Sequence, residues 1–206
     1  MTTKEKILET ALTLYNRQGV SAVTSRHIAA AMGISAGNLH YHFKHTDEIV
    51  KTLYDSLSSS FDELIPDTDA RITTVLEQFR EFVFRSFELQ YRYRFIFLHF
   101  VEISLRIPAI RKEYHLLVQR RHDQFMSIFR HLIKEGVFRA DIPDTIWKAL
   151  ITQIFIMADF WLSTNELTTQ LKGKKAIRTY SEYLYAMFYT YMTKSAQAKF
   201  FSDEER

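Results

Sequence analysis

The sequence predicts an all-α fold, and three observations support this prediction. Its 206 residues include only three Pro and five Gly, and nearly all of these stand where a helical pattern breaks. Between the breaks, apolar residues recur at the three-to-four-residue spacing of amphipathic helices. No segment alternates apolar and polar residues as a half-buried strand would. The pattern predicts about nine helices.

The first two predicted helices are bounded by capping residues. The first spans about Thr2 to Gln18, because Thr2 and Glu5 fit a capping box and Gly19 fits the residue that follows a helix. The second follows Thr24, whose hydroxyl can accept a hydrogen bond from a free backbone N–H group. Gly33 ends it, because glycine readily adopts the positive φ that closes a helix.

The third predicted helix follows that turn directly. Ser35 is its N-cap, and Leu39 and Phe43, four residues apart, give it one apolar side. The other side carries small, aromatic and hydrogen-bonding residues: Gly37, Asn38, His40, Tyr41 and Lys44. Two short helices joined by a tight turn are typical of a helix-turn-helix, whose second helix lies in the major groove of DNA.

The remaining helices are bounded by acids, Pro and Gly. The fourth starts after Thr46, with Asp47 and Glu48 in the first turn, where the helix dipole favours acids, and it ends before Pro66. Five more are predicted from the same signals. They span about 69–89, 93–105, 109–135, 144–163 and 174–195.

The composition limits the classes of protein that fit. Hydrophobic residues make up 47% and charged residues 25%, as in ordinary globular proteins, and the net charge is only +3. The absence of Cys excludes disulfides and thiolate metal sites. Apolar stretches are interrupted by polar residues, no secretory signal is recognised, and the sequence signatures of common enzymes are missing. We expect a cytoplasmic protein that is not an enzyme, has no cofactor and does not bind membranes.

Residues 4 to 60 resemble the DNA-binding domain of TetR-family transcriptional regulators. The matching residues are Ile7, Leu8, Ala11, Leu14, Gly19, Thr24 to Gly33, Ser35 to Lys44, Asp47, Glu48 and Ile49. The sequence departs from the family at His40, usually tyrosine, and at Thr46, usually lysine; both positions normally serve phosphate contact. The resemblance implies a helix-turn-helix domain over residues 1–48. Over residues 49–206 it implies a divergent helical domain that dimerises and often holds an effector.

The predicted DNA contacts lie at helix starts and on the exposed side of the third helix. Backbone N–H groups after Ser35 can bind a phosphate, Gly37 permits close approach, and Asn38 can read an adenine edge. Tyr41 can donate to a phosphate or contact a thymine methyl group. The predicted set is Thr24, Ser25, Ser35, Ala36, Gly37, Asn38, His40, Tyr41, His42, Lys44 and Thr46. Taken singly, Asn38, His40 and Tyr41 also fit an ordinary solvated surface.

The last two predicted helices are apolar nearly all round. Such helices must bury more than one face, either within the protomer or under a second subunit. A dimer interface is favoured because two-fold symmetry doubles the DNA site that one recognition helix can read, although a plain core gives the same pattern. The predicted interface is Trp147, Ile151, Phe155, Tyr180, Leu184, Phe188 and Tyr191.

Polar residues lie among aromatic residues in the C-terminal part of the chain. A pocket for a mostly apolar ligand needs this combination. The candidate lining is Phe95, His99, Glu102, His122, Phe125, Asp159, Phe160 and Trp161. A core network in which these polar groups satisfy one another explains the same residues. A metal site formed by His99, Glu102 and His122 is a third interpretation, and we do not adopt it.

Together these patterns predict a sequence-specific DNA-binding transcriptional regulator. We expect a homodimeric repressor that binds a palindromic double-stranded operator and is released by a small, mostly apolar effector. One alternative is a DNA-binding regulator that responds to a protein and has no small-molecule ligand. Another is a helical enzyme with an accidental helix-turn-helix pattern. Binding to an operator would exclude the second alternative.

Overall fold

The computed structural model describes residues 1–64 and 75–200, and within them it is all-α, as predicted. These residues form eleven α-helices and one 3-10 turn, and their one β-type contact is an isolated bridge between Phe138 and Met192. The helices are α1 Thr3–Gln18, α2 Ser25–Met32, α3 Ala36–His42, α4 Thr46–Glu63, α5 Val75–Arg92, α6 Arg94–Leu98, α7 Phe100–Arg106, α8 Pro108–Lys134, α9 Asp144–Leu167, α10 Gly173–Ala186 and α11 Lys194–Phe200.

The helices form two compact units. Unit 1 comprises Met1–Glu63 and Leu89–Glu113, and unit 2 comprises Leu64–Glu88 and Tyr114–Arg206. The boundary between the units therefore falls inside α5 and inside α8. The N-terminal helices share their unit with the end of α5, with α6 and α7, and with the start of α8.

Unit 1 has a mostly aliphatic core, and side-chain caps fix the starts of α1, α2 and α3. The predicted capping box of α1 is present: Thr2 Oγ1 accepts a hydrogen bond from Glu5 N at 3.2 Å, and Glu5 Oε2 accepts one from Thr2 N at 2.7 Å. The buried residues recur at helical spacing on each element. They include Ile7, Ala11, Ile28, Leu39, Ile49, Val50, Leu53, Ile96 and Ile103.

Unit 2 has an aromatic core. Phe138 lies at its centre, stacked on Trp147 at 5.3 Å and on Phe188 at 5.9 Å between ring centroids. Phe79 and Phe129 pack against the same ring edge to face. Aromatic side chains bury large apolar areas, so this cluster supplies much of the burial that stabilises the unit.

The sixth predicted helix, 93–105, is broken into α6 and α7. His99 separates them, with φ −122° and ψ 22°, outside helical values. The hydrogen bonds still reach four residues back on each side of the break, from His99 N to Phe95 O and from Ile103 N to His99 O. The apolar period continues through this kink, which explains why the sequence pattern predicted one helix.

The ninth predicted helix, 174–195, is also wrong in its extent. It ends at Ala186, and a 3-10 turn Tyr189–Tyr191 and α11 follow. The backbone of this segment pairs with another loop, from Arg139 N to Tyr191 O and from Thr193 N to Val137 O, both at 2.9 Å. These long-range bonds take the backbone groups that a continuous helix would need.

Other boundaries differ by a turn or less. The fifth predicted helix continues to Arg92, and its predicted start at residue 69 lies outside the described residues. The eighth predicted helix, α9, continues to Leu167 rather than 163. By length and composition alone α9 is apolar enough to cross a membrane, with about a third of it buried in the protomer; core helices of globular proteins meet the same criterion.

Candidate DNA-binding surface

The turn between α2 and α3 has the geometry that its sequence predicts. Gly33 adopts φ 65° and ψ 27°, a left-handed conformation that few other residues tolerate. Its N–H group donates to Ala30 O at 3.1 Å, and Ile34 N donates to Ala29 O at 3.1 Å. These two bonds satisfy the last carbonyls of α2 and reverse the chain within three residues, so that α3 starts at once.

The two helix starts are fixed by side-chain caps. Thr24 and His27 form reciprocal hydrogen bonds of 3.4 Å at the start of α2. Ser35 Oγ accepts a hydrogen bond from Asn38 N at 3.1 Å at the start of α3. The Thr24 and Ser35 side chains therefore have a structural role in this state, beside any contact with phosphate.

One side of α3 is buried and the other is open to solvent. Leu39 is buried and Phe43, directly after the helix, is buried with it, whereas the Tyr41 side chain is 86% exposed. Of the eleven predicted DNA contacts, Ser25, His42 and Thr46 are half-buried and the other eight are exposed. The α3 surface is therefore available to a partner as large as a DNA duplex.

Hydrogen bonds tie α3 to the start of α4. His40 Nδ1 donates to the Lys44 carbonyl oxygen at 3.1 Å, since a carbonyl oxygen can only accept. The Lys44 N–H group donates to Glu48 Oε2 at 3.1 Å. The Asn38 amide has no hydrogen bond within the described residues, so its donors and acceptor are free to read a base.

Two cations near this surface were missed by the sequence analysis. Arg26 is exposed in the first turn of α2, beside the predicted contacts Thr24 and Ser25. A basic residue directly after two predicted phosphate contacts is a sequence signal that predicts a further phosphate contact at Arg26. Lys4 Nζ of α1 lies 5.4 Å from the centroid of the Phe43 ring, a contact that only the folded chain reveals.

Three of the predicted effector residues lie in unit 1. Phe95 is buried, with its ring centroid 5.1 Å from that of Tyr15. His99 Nδ1 lies 3.5 Å from Glu102 Oε2, and Glu102 Oε1 accepts a hydrogen bond from Ser21. These polar side chains thus contact each other and the turn between α1 and α2.

The other five predicted effector residues lie in unit 2. Asp159 accepts a hydrogen bond from Tyr114. Burial raises the pKa of the Asp159 carboxyl to about 6, although this hydrogen bond acts to lower it. Phe125 packs near Phe82 and Phe155. His122 is partly exposed, Phe160 faces solvent, and Trp161 is buried against Phe87 and Tyr180.

The predicted dimer residues lie inside the protomer. Trp147, Ile151, Tyr180, Leu184 and Phe188 are buried, and Phe155 and Tyr191 are half-buried, so the helices turn these side chains toward their own core. The exposed apolar residues of the same helices are different ones: Ile146, Ile156, Phe160, Leu167 and Tyr183. The sequence could not separate the two faces because both are apolar.

Two family models match the chain. One, described as bacterial regulatory proteins of the tetR family, matches residues 7–53, and another, described as a bacterial transcriptional repressor, matches residues 56–200. The chain is 25% identical over 195 residues to the HTH-type transcriptional regulator AcrR of Shigella flexneri, covering 90% of this chain and 89% of that protein. It is 27% identical over 165 residues to the transcriptional repressor KstR2 of Rhodococcus jostii, covering 71% and 78%.

Solved structures share the fold. A TetR-family transcriptional regulator from Marinobacter aquaeolei aligns with a TM-score of 0.86 and 24% identity, covering 100% of this chain and 98% of that one. A putative transcriptional regulator from Saccharomonospora viridis, solved in complex with choline, aligns with a TM-score of 0.70 and 24% identity, covering 93% and 98%.

Proposed function

The chain belongs to the TetR family of bacterial transcriptional regulators, and we propose that it is a cytoplasmic repressor that binds a palindromic operator as a homodimer. The family consists of DNA-binding regulators rather than enzymes. The observation that carries the proposal is the asymmetry of α3, which buries Leu39 in its own unit and leaves Tyr41, Asn38 and the cap at Ser35 open.

Each exposed group on α3 has a distinct role in the proposal. The free N–H groups at the start of the helix and the Tyr41 hydroxyl bind phosphates, which position the protein. Asn38 reads a base edge in the major groove. Lys44, Arg26 and Lys4 add local positive charge, which matters because the first fifty residues hold five Lys or Arg against four acids.

The homodimer forms through the exposed apolar side of α9 and α10. Ile156, Phe160 and Leu167 are spaced by four and seven residues, so they form one stripe along α9, and Tyr183 is the exposed aromatic residue of α10. An exposed apolar stripe of this length is what a protein interface requires. Two recognition helices related by two-fold symmetry then read the two halves of a palindrome.

A small effector binds within unit 2 and releases the DNA. The region around Asp159, Tyr114 and Phe125, which are all half-buried, combines a carboxyl group with aromatic rings, and this combination suits a mostly apolar molecule carrying one hydrogen-bonding or cationic group. The choline complex of the S. viridis regulator is a precedent for a small organic cation in this fold. Release requires that the effector bind the conformation with low DNA affinity more tightly than the other.

The test is selection of bound sequences from random double-stranded DNA with the purified full-length chain. The proposal expects an enriched inverted repeat, with each half contacted by one subunit. Recovery of no enriched sequence would contradict DNA-binding function, and an enriched site without two-fold symmetry would contradict the dimeric mode. Titration of Trp147 and Trp161 fluorescence with organic cations and neutral lipophilic molecules then tests the effector.

A further inference from the structure

The first two turns of α4 carry two ion pairs of opposite polarity. Asp47 Oδ1 lies 3.1 Å from Arg106 Nε of α7, and Lys51 Nζ lies 2.9 Å from Glu113 Oε1 of α8. Asp47 and Lys51 are four residues apart, so they lie one above the other on the same side of α4. The acid is on α4 in the first pair and on α8 in the second. All four residues belong to unit 1.

A third charge continues the pattern on α4. Lys51 Nζ also lies 2.6 Å from Asp55 Oδ1, so residues 47, 51 and 55 alternate in charge along one side of the helix. Burial acts to lower the pKa of Lys51, but the hydrogen bonds to Asp55 and Glu113 outweigh it and raise that pKa above its ordinary value. Lys51 therefore remains a cation at any physiological pH.

Arg106, the α7 partner of Asp47, also lies near a second acid. Arg106 Nη1 lies 3.8 Å from Glu102 Oε1, the same oxygen that accepts the hydrogen bond of Ser21 in the turn after α1.

Asn16 of α1 connects α1 to the end of α5 and the start of α6 through two hydrogen bonds. Its amide donates to Arg92 O at 2.8 Å and its oxygen accepts from Phe95 N at 3.1 Å, which satisfies two backbone groups at the break between α5 and α6.

These ion pairs are too exposed to contribute much stability. The side chains of Arg106, Asp47 and Glu113 are between 31% and 44% exposed, and such pairs have small effects on unfolding because water competes for both charges. What they can do is favour the observed position of α4 over positions shifted along the helix axis. Like charges brought into contact repel, so charge patterns of this kind discriminate between alternatives better than they stabilise.

A shift of α4 by one turn, about 5.4 Å, would bring like charges together in either direction. In one direction Lys51 would meet Arg106 and Asp55 would meet Glu113. In the other, Asp47 would meet Glu113. The alternation at 47, 51 and 55 therefore penalises both one-turn shifts and favours only the observed register.

We propose that Arg106 and Glu113 are positioning residues that fix the axial register of α4 and thereby place the recognition helix α3. This inference rests on the proposed DNA-binding function. The link to α3 is short, because only residues 43–45 separate the two helices, and hydrogen bonds from His40 to Lys44 O and from Lys44 N to Glu48 stiffen it. A displaced α4 would therefore displace α3 with it.

The experiment is a charge swap in the full-length protein. Arg106→Glu places an acid beside both Asp47 and Glu102, and the double variant Asp47→Arg with Arg106→Glu restores an attractive pair between positions 47 and 106 with reversed polarity. We expect the single variant to bind the selected operator about tenfold more weakly and the double variant to recover to within about threefold of wild type. Arg111→Glu is the matched control, because Arg111 is exposed on α8 and has no ion pair within the described residues.

Two further readouts separate positioning from a general loss of folding. Thermal melting of the variants checks that they fold, and Arg106→Gln removes the attraction without adding repulsion. Selection from random DNA with Arg106→Glu is expected to return a broader range of half-site spacings than wild type. Equal operator affinity in wild type and Arg106→Glu, or a double variant no better than the single one, would overturn the inference.

Hydrogen exchange distinguishes failure of this inference from failure of the proposed function. Without DNA, Arg106→Glu should raise amide exchange in residues 49–54 of α4, and the double variant should restore protection. If wild type selects no DNA sequence, the proposed function fails while this exchange measurement still decides whether the pairs fix α4. If wild type selects an operator and exchange is unchanged by Arg106→Glu, only the register inference fails.

Discussion

Unit 1 and unit 2 differ in what holds their helices in position. In unit 1, short helices such as α2 and α3, of eight and seven residues, are set by caps, one glycine turn and polar contacts between named partners. In unit 2, α9, of 24 residues, and the greater part of α8, of 27 residues, pack around an aromatic cluster. Hydrogen bonds and ion pairs are directional, whereas apolar burial is not. The contacts of unit 1 therefore fix the relative positions of its helices, whereas those of unit 2 mainly bury a large apolar area.

The largest expected effect breaks the aromatic cluster of unit 2. Phe138→Ala removes a ring that stacks on Trp147 and Phe188, and we expect it to lower the free energy of unfolding by about 3–5 kcal/mol. Urea denaturation followed by circular dichroism measures it. Leu116→Ala, at a 53% exposed position of the same unit, is the control and should change stability by less than about 0.5 kcal/mol. Equal effects of the two changes would mean that the aromatic cluster does not stabilise unit 2 more than its exposed apolar residues do.

A charge introduced on the exposed side of α9 tests whether this apolar surface of unit 2 forms the dimer interface. Ile156→Glu, at a 59% exposed position, should weaken dimerisation by about 2–4 kcal/mol, because a charge would be buried at the centre of the proposed interface. Sedimentation equilibrium gives the dissociation constant. Leu116→Glu, the same change at similar exposure on α8, should leave the dimer intact. A dimer that is insensitive to Ile156→Glu would show that the interface does not include this side of α9.

A pH titration of stability examines Asp159, the half-buried carboxyl of unit 2 whose pKa is raised. Because burial raises the pKa of Asp159 from 3.8 to about 6, the folded protein binds this proton more tightly than the unfolded chain. Stability from this group is therefore present at low pH and is lost as pH rises from about 4 to about 6. Asp159→Asn should abolish that pH dependence, which amounts to about 3 kcal/mol for a pKa raised from 3.8 to about 6. Urea denaturation at several pH values measures it, with the exposed Asp123→Asn as control.

The smallest of these effects concerns the exposed side of α3 and leaves folding unchanged. Tyr41→Ala should reduce operator affinity by about 1–2 kcal/mol with little change in sequence preference, because a phosphate contact positions the protein without reading bases. Fluorescence anisotropy with the selected operator and with single-base variants measures both. Tyr183→Ala, an exposed tyrosine of unit 2, should not alter DNA affinity in the same assay. A changed base preference in Tyr41→Ala would mean that this side chain reads sequence.

The sequence predicted the first four helices well because their signals are local. The capping box at Thr2 and Glu5, the caps at Thr24 and Ser35, and the glycine at residue 33 all act within a few residues, and the structure has each of them. The spacing of Leu39 and Phe43 then identified the buried side of α3, and with it the exposed side. A strongly amphipathic helix orients itself, because only one of its sides can be buried.

The same reasoning failed where a helix is apolar on more than one side. On α9 and α10 the sequence could not tell Ile151, which is buried, from Ile156, which is exposed, because both are isoleucine and both fit the helical period. Five of the seven predicted interface residues are therefore buried in the core of the protomer. Only the packing of neighbouring helices decides which apolar side of such a helix is covered.

What the sequence by itself determined is the all-α class, the helix-turn-helix and the side of α3 that faces solvent, since caps, glycine turns and helical periodicity are local properties of the chain. The tertiary structure decided the kink at His99, the end of α10, and the pairing of Asp47 with Arg106 and Lys51 with Glu113. The end of α10 and the two ion pairs depend on groups far apart in the chain. Interactions between such groups form only when folding brings the groups together, so no local sequence pattern predicts them.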